Sequence, residues 1–260
     1  MKKSFLLIFV FAVLATVPAE QVLSNGIVLL REVTGPIETN CYLLYDEQSK
    51  EAALFDVGGP IDTLISVLTN RQLKLKYIFA THCHMDHMEG IPMIIDKFPD
   101  VLLAYNKEDY ADFLVFKEAM KNNTDKKEFQ EMMQDSIIAK WFSYDLSIFR
   151  APDLYLDEGQ VYLLGNSEIR TFLSPGHSRG SICFYVDNIL LSGDVLFYRN
   201  VGRTDLPGVG STDNLVKSVR RLYTDLSEET SVYPGHGQST DIGSEKRENK
   251  KITLENVFMK

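Results

Sequence analysis

A single mixed α/β domain, built from two β-rich halves each trailed by helices, is what this sequence predicts. Three observations predict it. The chain has 260 residues, 45% of them hydrophobic, which is enough for one large domain with a full core. Apolar, β-prone runs separated by turn residues occupy 26–56 and return at 160–192, and helical spacing follows each set. No low-complexity tract or internal repeat interrupts that order.

Residues 1–19 stand apart. Lys2 and Lys3 precede an apolar run from Phe5 to Val17, and Val17-Pro18-Ala19 puts small residues where a signal peptidase reads. The run is short for a membrane span, so a cleaved export signal is expected ahead of an uncleaved anchor. The domain is then residues 20–260. It is expected to be exported, whether secreted, periplasmic or in a secretory-pathway lumen, with no stable membrane insertion after cleavage.

Within the domain, strands are predicted at 26–32, 40–46 and 51–56, and Gly58-Gly59-Pro60 turns the chain into a helix near 61–70. Leu75–Ala80 reads as a buried strand ending at Thr81. A helix beginning near Met88 and running to about 97, then a strand at 101–105, follow. Residues 107–141 form a helical insertion. Phe113, Phe116 and Met120, then Phe129, Met132, Met133, Ile137 and Trp141, recur at three-and-four spacing, with Asn122, Asn123 and Thr124 punctuating the pair. Strands are predicted again at 160–164, 168–173, 181–187 and 188–192. Ser211 and Thr212 are candidate N-caps of a helix at 212–225. A strand at 231–233 and a short helix complete the pattern.

All five histidines fall in three short segments: His82, His84 and His87 in Thr-His-Cys-His-Met-Asp-His, His177 in Ser-Pro-Gly-His, and His236 in Tyr-Pro-Gly-His-Gly. Neutral imidazole is the commonest protein ligand for zinc-like ions. Asp86 and Asp194 bring the ligand-type side chains to seven, too many for one tetrahedral ion and suited to two ions sharing a bridge. Just past a strand, residues two apart point the same way, so His82 and His84 face one ion while Cys83 points oppositely. Asp86 and His87, where the chain turns helical, diverge from that pair and reach a neighbouring ion. The remaining ligands also follow strand signals. A chance polar loop produces one such motif, but it does not place three segments at strand ends and spend every histidine on them. The residues therefore point to a dinuclear metal hydrolase.

The set THCHMDH, SPGH, SGDVLF and YPGHG resembles the metallo-β-lactamase superfamily over nearly all of the chain after residue 25. The stretch Val201–Gly208, the following helix, Tyr-Pro-Gly-His-Gly and Ile242–Asn249 resemble its short glyoxalase II-like (hydroxyacylglutathione hydrolase-like) branch. The resemblance implies a four-layer αββα sandwich with two divalent metals at its rim, zinc first, with iron or manganese as alternatives. It implies that His82, His84 and His177 bind one metal, that Asp86, His87 and His236 bind the other, and that Asp194 bridges. A metal-bridging hydroxide would be the nucleophile, with Asp86 as the catalytic residue holding it in line, and Arg203 would hold a substrate carboxylate unless it pairs with Asp205.

A small-molecule thioester is the expected substrate. Thiols ionise near a pKa of about 8.5 and leave without a proton donor, and no histidine is spare to serve as one. Departures from the glyoxalase II pattern bear on the acyl carrier: only 24 residues follow His236, Gln238 stands where a Tyr is usual, and Arg179 replaces a usual Pro and is read as a solvent-facing loop residue. The alternatives are a secreted metallo-β-lactamase, a mononuclear-iron persulfide dioxygenase, a lactone or phosphodiester hydrolase, and a non-enzymatic metal-binding protein. Nucleic acid is not an expected partner, because loss of Lys2 and Lys3 takes the net charge from −9 to −11 and no basic stripe offsets it. Three cysteines do not make a disulfide framework; Cys41, Cys83 and Cys183 are read as packing residues. Asn122 heads a glycosylation sequon. The insertion is read either as an apolar lid beside the metals or as a cap on the sandwich's outer face.

Overall fold

The computed structural model describes residues 20–23, 25–122, 146–205 and 210–258. The expected leader at 1–19, and residues 123–141 of the expected insertion with Met133 and Trp141, lie outside them.

Two sheets pack face to face with helices on both outer sides, which makes the four-layer αββα sandwich. The first sheet runs in chain order: β1 (Gln21–Val22), β2 (Ile27–Thr34), β3 (Thr39–Asp46), β4 (Glu51–Phe55), β5 (Lys74–Phe79), β6 (Leu102–Asn106) and β7 (Leu154–Leu156). The pairs β1 to β4 are antiparallel and those from β4 to β7 parallel. Parallel neighbours need crossovers. These are supplied by α1 (Asp62–Asn70), by α2 (Met85–Met88) with α3 (Ile91–Lys97), and by the segment opened by α4 (Lys107–Asn122). The second sheet contains β8 (Val161–Leu164), β9 (Ser167–Leu173), β10 (Ile182–Val186), β11 (Ile189–Gly193), β14 (Ser231–Pro234) and β15 (Thr240–Asp241), ordered β15-β14-β11-β10-β9-β8. A two-stranded hairpin, β12 (Leu196–Phe197) with β13 (Asn200–Val201), α5 (Thr212–Asp225) and α6 (Ile242–Glu248) complete the fold.

Residue alternation explains the layers. All eight residues of β3 are buried because both of its faces are covered. Cys41, Leu43 and Tyr45 pack toward the helices with Leu64, Leu68 and Ile94, whereas Tyr42 and Leu44 pack between the sheets with Phe55, Phe79 and Phe184. On the other side, Cys183 of β10 and Leu190 of β11 meet Leu215, Val219 and Leu222 of α5. The rings of Phe79 and Phe184 lie 5.0 Å apart at the centre, so truncating Phe79 to Ala would cost about 3–5 kcal/mol.

The helix ends show which signals were local. Ser211 caps α5 through Asn214 N, 3.3 Å away, as its sequence position predicts. In α1, by contrast, Ile61 offers no side-chain cap, and Glu32 of β2 accepts from Thr63 N and Leu64 N at 3.3 and 2.9 Å. That cap is tertiary, so it leaves no local signature. Helix starts after the metal-type motif differ from expectation. An extended His84 opens a single turn at Met85, and Gly90 separates it from α3, which restarts with Pro92 in its first turn. The short β1, β7, β12, β13 and β15 were not anticipated, since two or three residues carry no period.

The first helix of the insertion buries Phe113 and packs Phe116 on the helix-side core, which is the behaviour of a cap. The second helix expected of the insertion falls outside the described residues.

Candidate metal centre

All seven candidate ligands gather at one end of the sandwich because the strands that carry them end there. Past β5, Ala80 and Thr81 lead into His82 and His84, and the single turn α2 presents Asp86 and His87. Past β9 the chain reaches His177. In the second sheet β11 and β14 run parallel with Gly193 opposite Pro234, so Asp194 and His236 leave from the same edge. The edge is tied across the sandwich: Asn40 N donates to Gly235 O at 2.7 Å and Tyr42 Oη to Pro234 O at 2.7 Å.

Close approach demands glycine at two points. A Cβ on Gly58 would meet Asp86 O at 2.0 Å, and one on Gly235 would meet Asp194 Oδ1 at 2.3 Å and His87 Cε1 at 2.7 Å. Larger residues there would displace the candidate ligands themselves.

The ligand atoms form two groups and a link between them: His82 with His84 and His177, Asp86 with His87 and His236, and His82 with His87 and Asp194. In the first, His177 Nε2 lies 3.1 Å from His82 Nε2 and 2.9 Å from His84 Nδ1. In the second, His87 Nε2 lies 3.3 Å from His236 Nε2 and 3.2 Å from Asp86 Oδ2. Asp194 spans them, with Oδ1 3.4 Å from His87 Nε2 and Oδ2 3.5 Å from both His177 Nε2 and His236 Nε2. Bonds of about 2.0–2.1 Å to a tetrahedral zinc ion hold ligand atoms about 3.3–3.4 Å apart, so these spacings fit such ions. Asp194 Oδ1 is moreover buried without a hydrogen-bond partner, a cost that a cation relieves. The donor set fits the metals the motifs imply.

The electrostatics of the metal-free protein agree. Burial, then the neighbouring imidazoles, depress His82, and burial takes His84 down to about 3. Burial also opposes ionisation of Asp86 and Asp194, but the charge on His87 and the adjacent His236 ring hold both carboxyls well below their ordinary value. Burial likewise opposes charge on His87 and His236. It is outweighed at His87 by Asp86, Asp56 and Asp194, and at His236 by hydrogen bonds to Asp194 and Asp86, which raise that ring to about 9. Protons supply the positive charge these carboxylates call for in the absence of a cation.

The outer nitrogens are held as ligand histidines require. His177 Nδ1 donates to Arg203 O at 2.9 Å and His236 Nδ1 to Ile37 O at 3.1 Å, which turns each Nε2 toward the centre. His87 Nδ1 lies 2.8 Å from Asp56 Oδ2. Thr81 Oγ1 donates to Asp56 Oδ2 at 2.9 Å and lies 3.0 Å from His82 Nδ1, so one carboxylate orients two rings. Sequence reading placed Asp56 merely at a strand's end. The available signal was an acid closing an apolar strand just before Gly58-Gly59.

Other candidates sort differently. The Arg203 side chain pairs with Asp205 at 2.6 Å, both well exposed, and only its carbonyl contacts the centre. Arg179 is exposed on its loop, as expected, and there it forms a two-point pair with Asp112 of α4, with Nε 2.7 Å from Oδ2. Cys83 is buried in the helix-side core, facing away from the ligands as expected, with its thiol pushed well up by burial and then by Asp109. All three cysteines are free and buried.

Comparison with known proteins adds to this geometry. A family model described as the metallo-beta-lactamase superfamily matches residues 34–236. Hydroxyacylglutathione hydrolase GloC of Haemophilus influenzae is 29% identical over 82% of this chain and 92% of its own. Among solved structures, the BLEG-1 B3 metallo-beta-lactamase is 30% identical with a TM-score of 0.66, over 85% of this chain and 97% of that one. TTHA1623 in a di-iron-bound form is 29% identical with a TM-score of 0.65, over 85% and 98%.

Proposed function

Since the chain belongs to the metallo-β-lactamase superfamily, we propose that it is a dinuclear metal-dependent hydrolase of thioesters of the hydroxyacyl-thiol type. A metal-dependent hydrolase is what the superfamily match and the hydrolase relative support; two ions and a thioester are the finer reading. The observation that carries it is the position of Asp194, one oxygen toward His87 and the other toward His177 and His236. His82, His84 and His177 would hold one ion and Asp86, His87 and His236 the other.

When bound, such a pair supplies a hydroxide near neutral pH and a Lewis acid for a carbonyl oxygen. The chain's own residues do the rest. Asp86, kept ionised beside His87 and His236, is the acceptor that orients the attacking water's hydrogen. Asp56, Thr81 and the carbonyls of Arg203 and Ile37 fix the rings. All five histidines stand in the centre, so none remains as a separate acid, and a thiolate leaving group asks for none. Likeness to the hydroxyacylglutathione hydrolase supports the same substrate class.

A β-lactamase reading is the second, favoured by the 30% likeness to BLEG-1. Metal-loaded protein assayed against a hydroxyacyl thioester, nitrocefin, a lactone and a phosphodiester separates the two. The thioester is expected to turn over fastest, and nitrocefin turnover exceeding it would replace the first reading by the second. Export through residues 1–19 is part of the proposal, and N-terminal sequencing of the mature chain should begin at Glu20.

A further inference from the structure

Asp109, in the first turn of α4, is 2% exposed, yet every hydrogen-bond partner the structure gives it is neutral. Its Oδ2 accepts from Cys83 N at 2.9 Å and Ser178 Oγ at 2.9 Å, and its Oδ1 from Gly180 N at 2.6 Å. Those donors lie on two separate loops. Cys83 stands between His82 and His84, and Ser178 directly follows His177. One turn further along the helix, Asp112 takes Arg179 of the same loop. The start of α4 therefore grips both loops that bring His82, His84 and His177 together. Among the described residues it makes no such contact with Asp86, His87 or His236; His87 and His236 are fixed from elsewhere, by Asp56 and Ile37 O.

A buried carboxylate without a cation is costly, and it is tolerated where several donors converge on it. Replacing it with Asn keeps one acceptor oxygen and turns the other into a donor, so the main-chain donor of one of the two loops, Cys83 N or Gly180 N, loses its acceptor, and the loops lose their common reference point. We propose that Asp109 is a positioning residue for the His82–His84–His177 group, so that the start of α4 sets the metal affinity of that group and not of the other. The inference rests on reading the seven residues as a metal centre.

Two single-group backgrounds test it, with zinc ion as the probe and competition against a chromophoric chelator as the readout. His236→Ala leaves the first group intact and His177→Ala leaves the second. Asp109→Asn should weaken zinc binding about 10- to 100-fold in the His236→Ala background and by no more than about 2-fold in the His177→Ala background. Ser178→Ala removes one donor and spares the main chain; it should give a loss of about 3-fold in the first background alone, which keeps the test decisive should Asp109→Asn fail to fold. Equal losses in both backgrounds, as a purely structural role predicts, would overturn the proposal, as would no loss in the first. Failure of the unmodified protein to bind zinc would instead remove the metal-centre reading, and this inference with it.

Discussion

Asp56 sits behind His87, its Oδ2 2.8 Å from Nδ1, with both side chains buried. The backbone at Asp56 has φ of 54°, a left-handed conformation that costs a non-glycine residue energy and persists where the surroundings fix it. Here Thr81 N and Thr81 Oγ1 bind the same carboxylate at 2.8 and 2.9 Å. Asp56→Ala is therefore expected to lower metal affinity about 10- to 100-fold, read as metal retained after dialysis against a chelator. Retention matching the unmodified protein would show that the ring is oriented by something else.

The two ligand groups should answer pH differently. In the metal-free protein His236 is raised to about 9 and His87 well above its ordinary value, while His84 is lowered to about 3 and His82 is also depressed. Protons on His87 and His236 must leave before those nitrogens can bind. Affinity at Asp86, His87 and His236 should thus climb as pH rises from about 6 to about 9, with a flatter profile at the other group. Stability of the metal-free protein follows the same shifts. His236, raised from 6.5, contributes stability fully present below 6.5 and lost as pH rises through about 9. His84, lowered from 6.5, costs stability as pH falls from 6.5 toward about 3. Thermal melts of chelator-treated protein should therefore peak near neutrality, and a monotonic trend would contradict the charge assignment.

The ligands were legible because their chemistry is concentrated in residue type: five histidines in three segments, each segment following a strand signal, cannot be hidden by packing. Strands such as β3 and β10 were legible because their β-prone runs were bounded by turn residues. What escaped has a common cause. Asp56, Asp109 and Glu32 act through partners 25 or more positions away, so nothing near them in sequence marks the role. Arg179 is solvent-facing as read, but its pairing with Asp112, 67 positions away, escaped for the same reason. Cys83, by contrast, was placed correctly, because strand geometry alone turns it from its neighbours.

Glu245 is the buried acid outside the centre whose loss should be felt most. It is fully buried and accepts from Arg199 Nη1 at 2.6 Å, Arg199 N at 2.9 Å, Thr240 Oγ1 at 2.6 Å and Asn249 Nδ2 at 2.8 Å. Removing one partner of a buried pair strands the other. Glu245→Ala should destabilise the protein by about 3–5 kcal/mol, read by chemical denaturation, and should loosen the β12–β13 hairpin that follows Asp194. A loss under about 1 kcal/mol would mean that water replaces the carboxylate.

Asp194 decides between one ion and two. Its carboxylate is buried, Oδ1 has no hydrogen-bond partner, and its two oxygens approach histidines of both groups. A residue so placed would keep two bound cations at a fixed separation and offset the charge between them. The unmodified protein should hold two ions per chain at saturating metal by elemental analysis. Asp194→Asn keeps the volume while removing the charge, and it should bind the second ion far more weakly and lose at least about 100-fold in hydrolysis rate. Stoichiometry and rate should fall together if the bridge is real. One ion in the unmodified protein, or normal turnover in the variant, would leave Asp194 as a ligand of a single site.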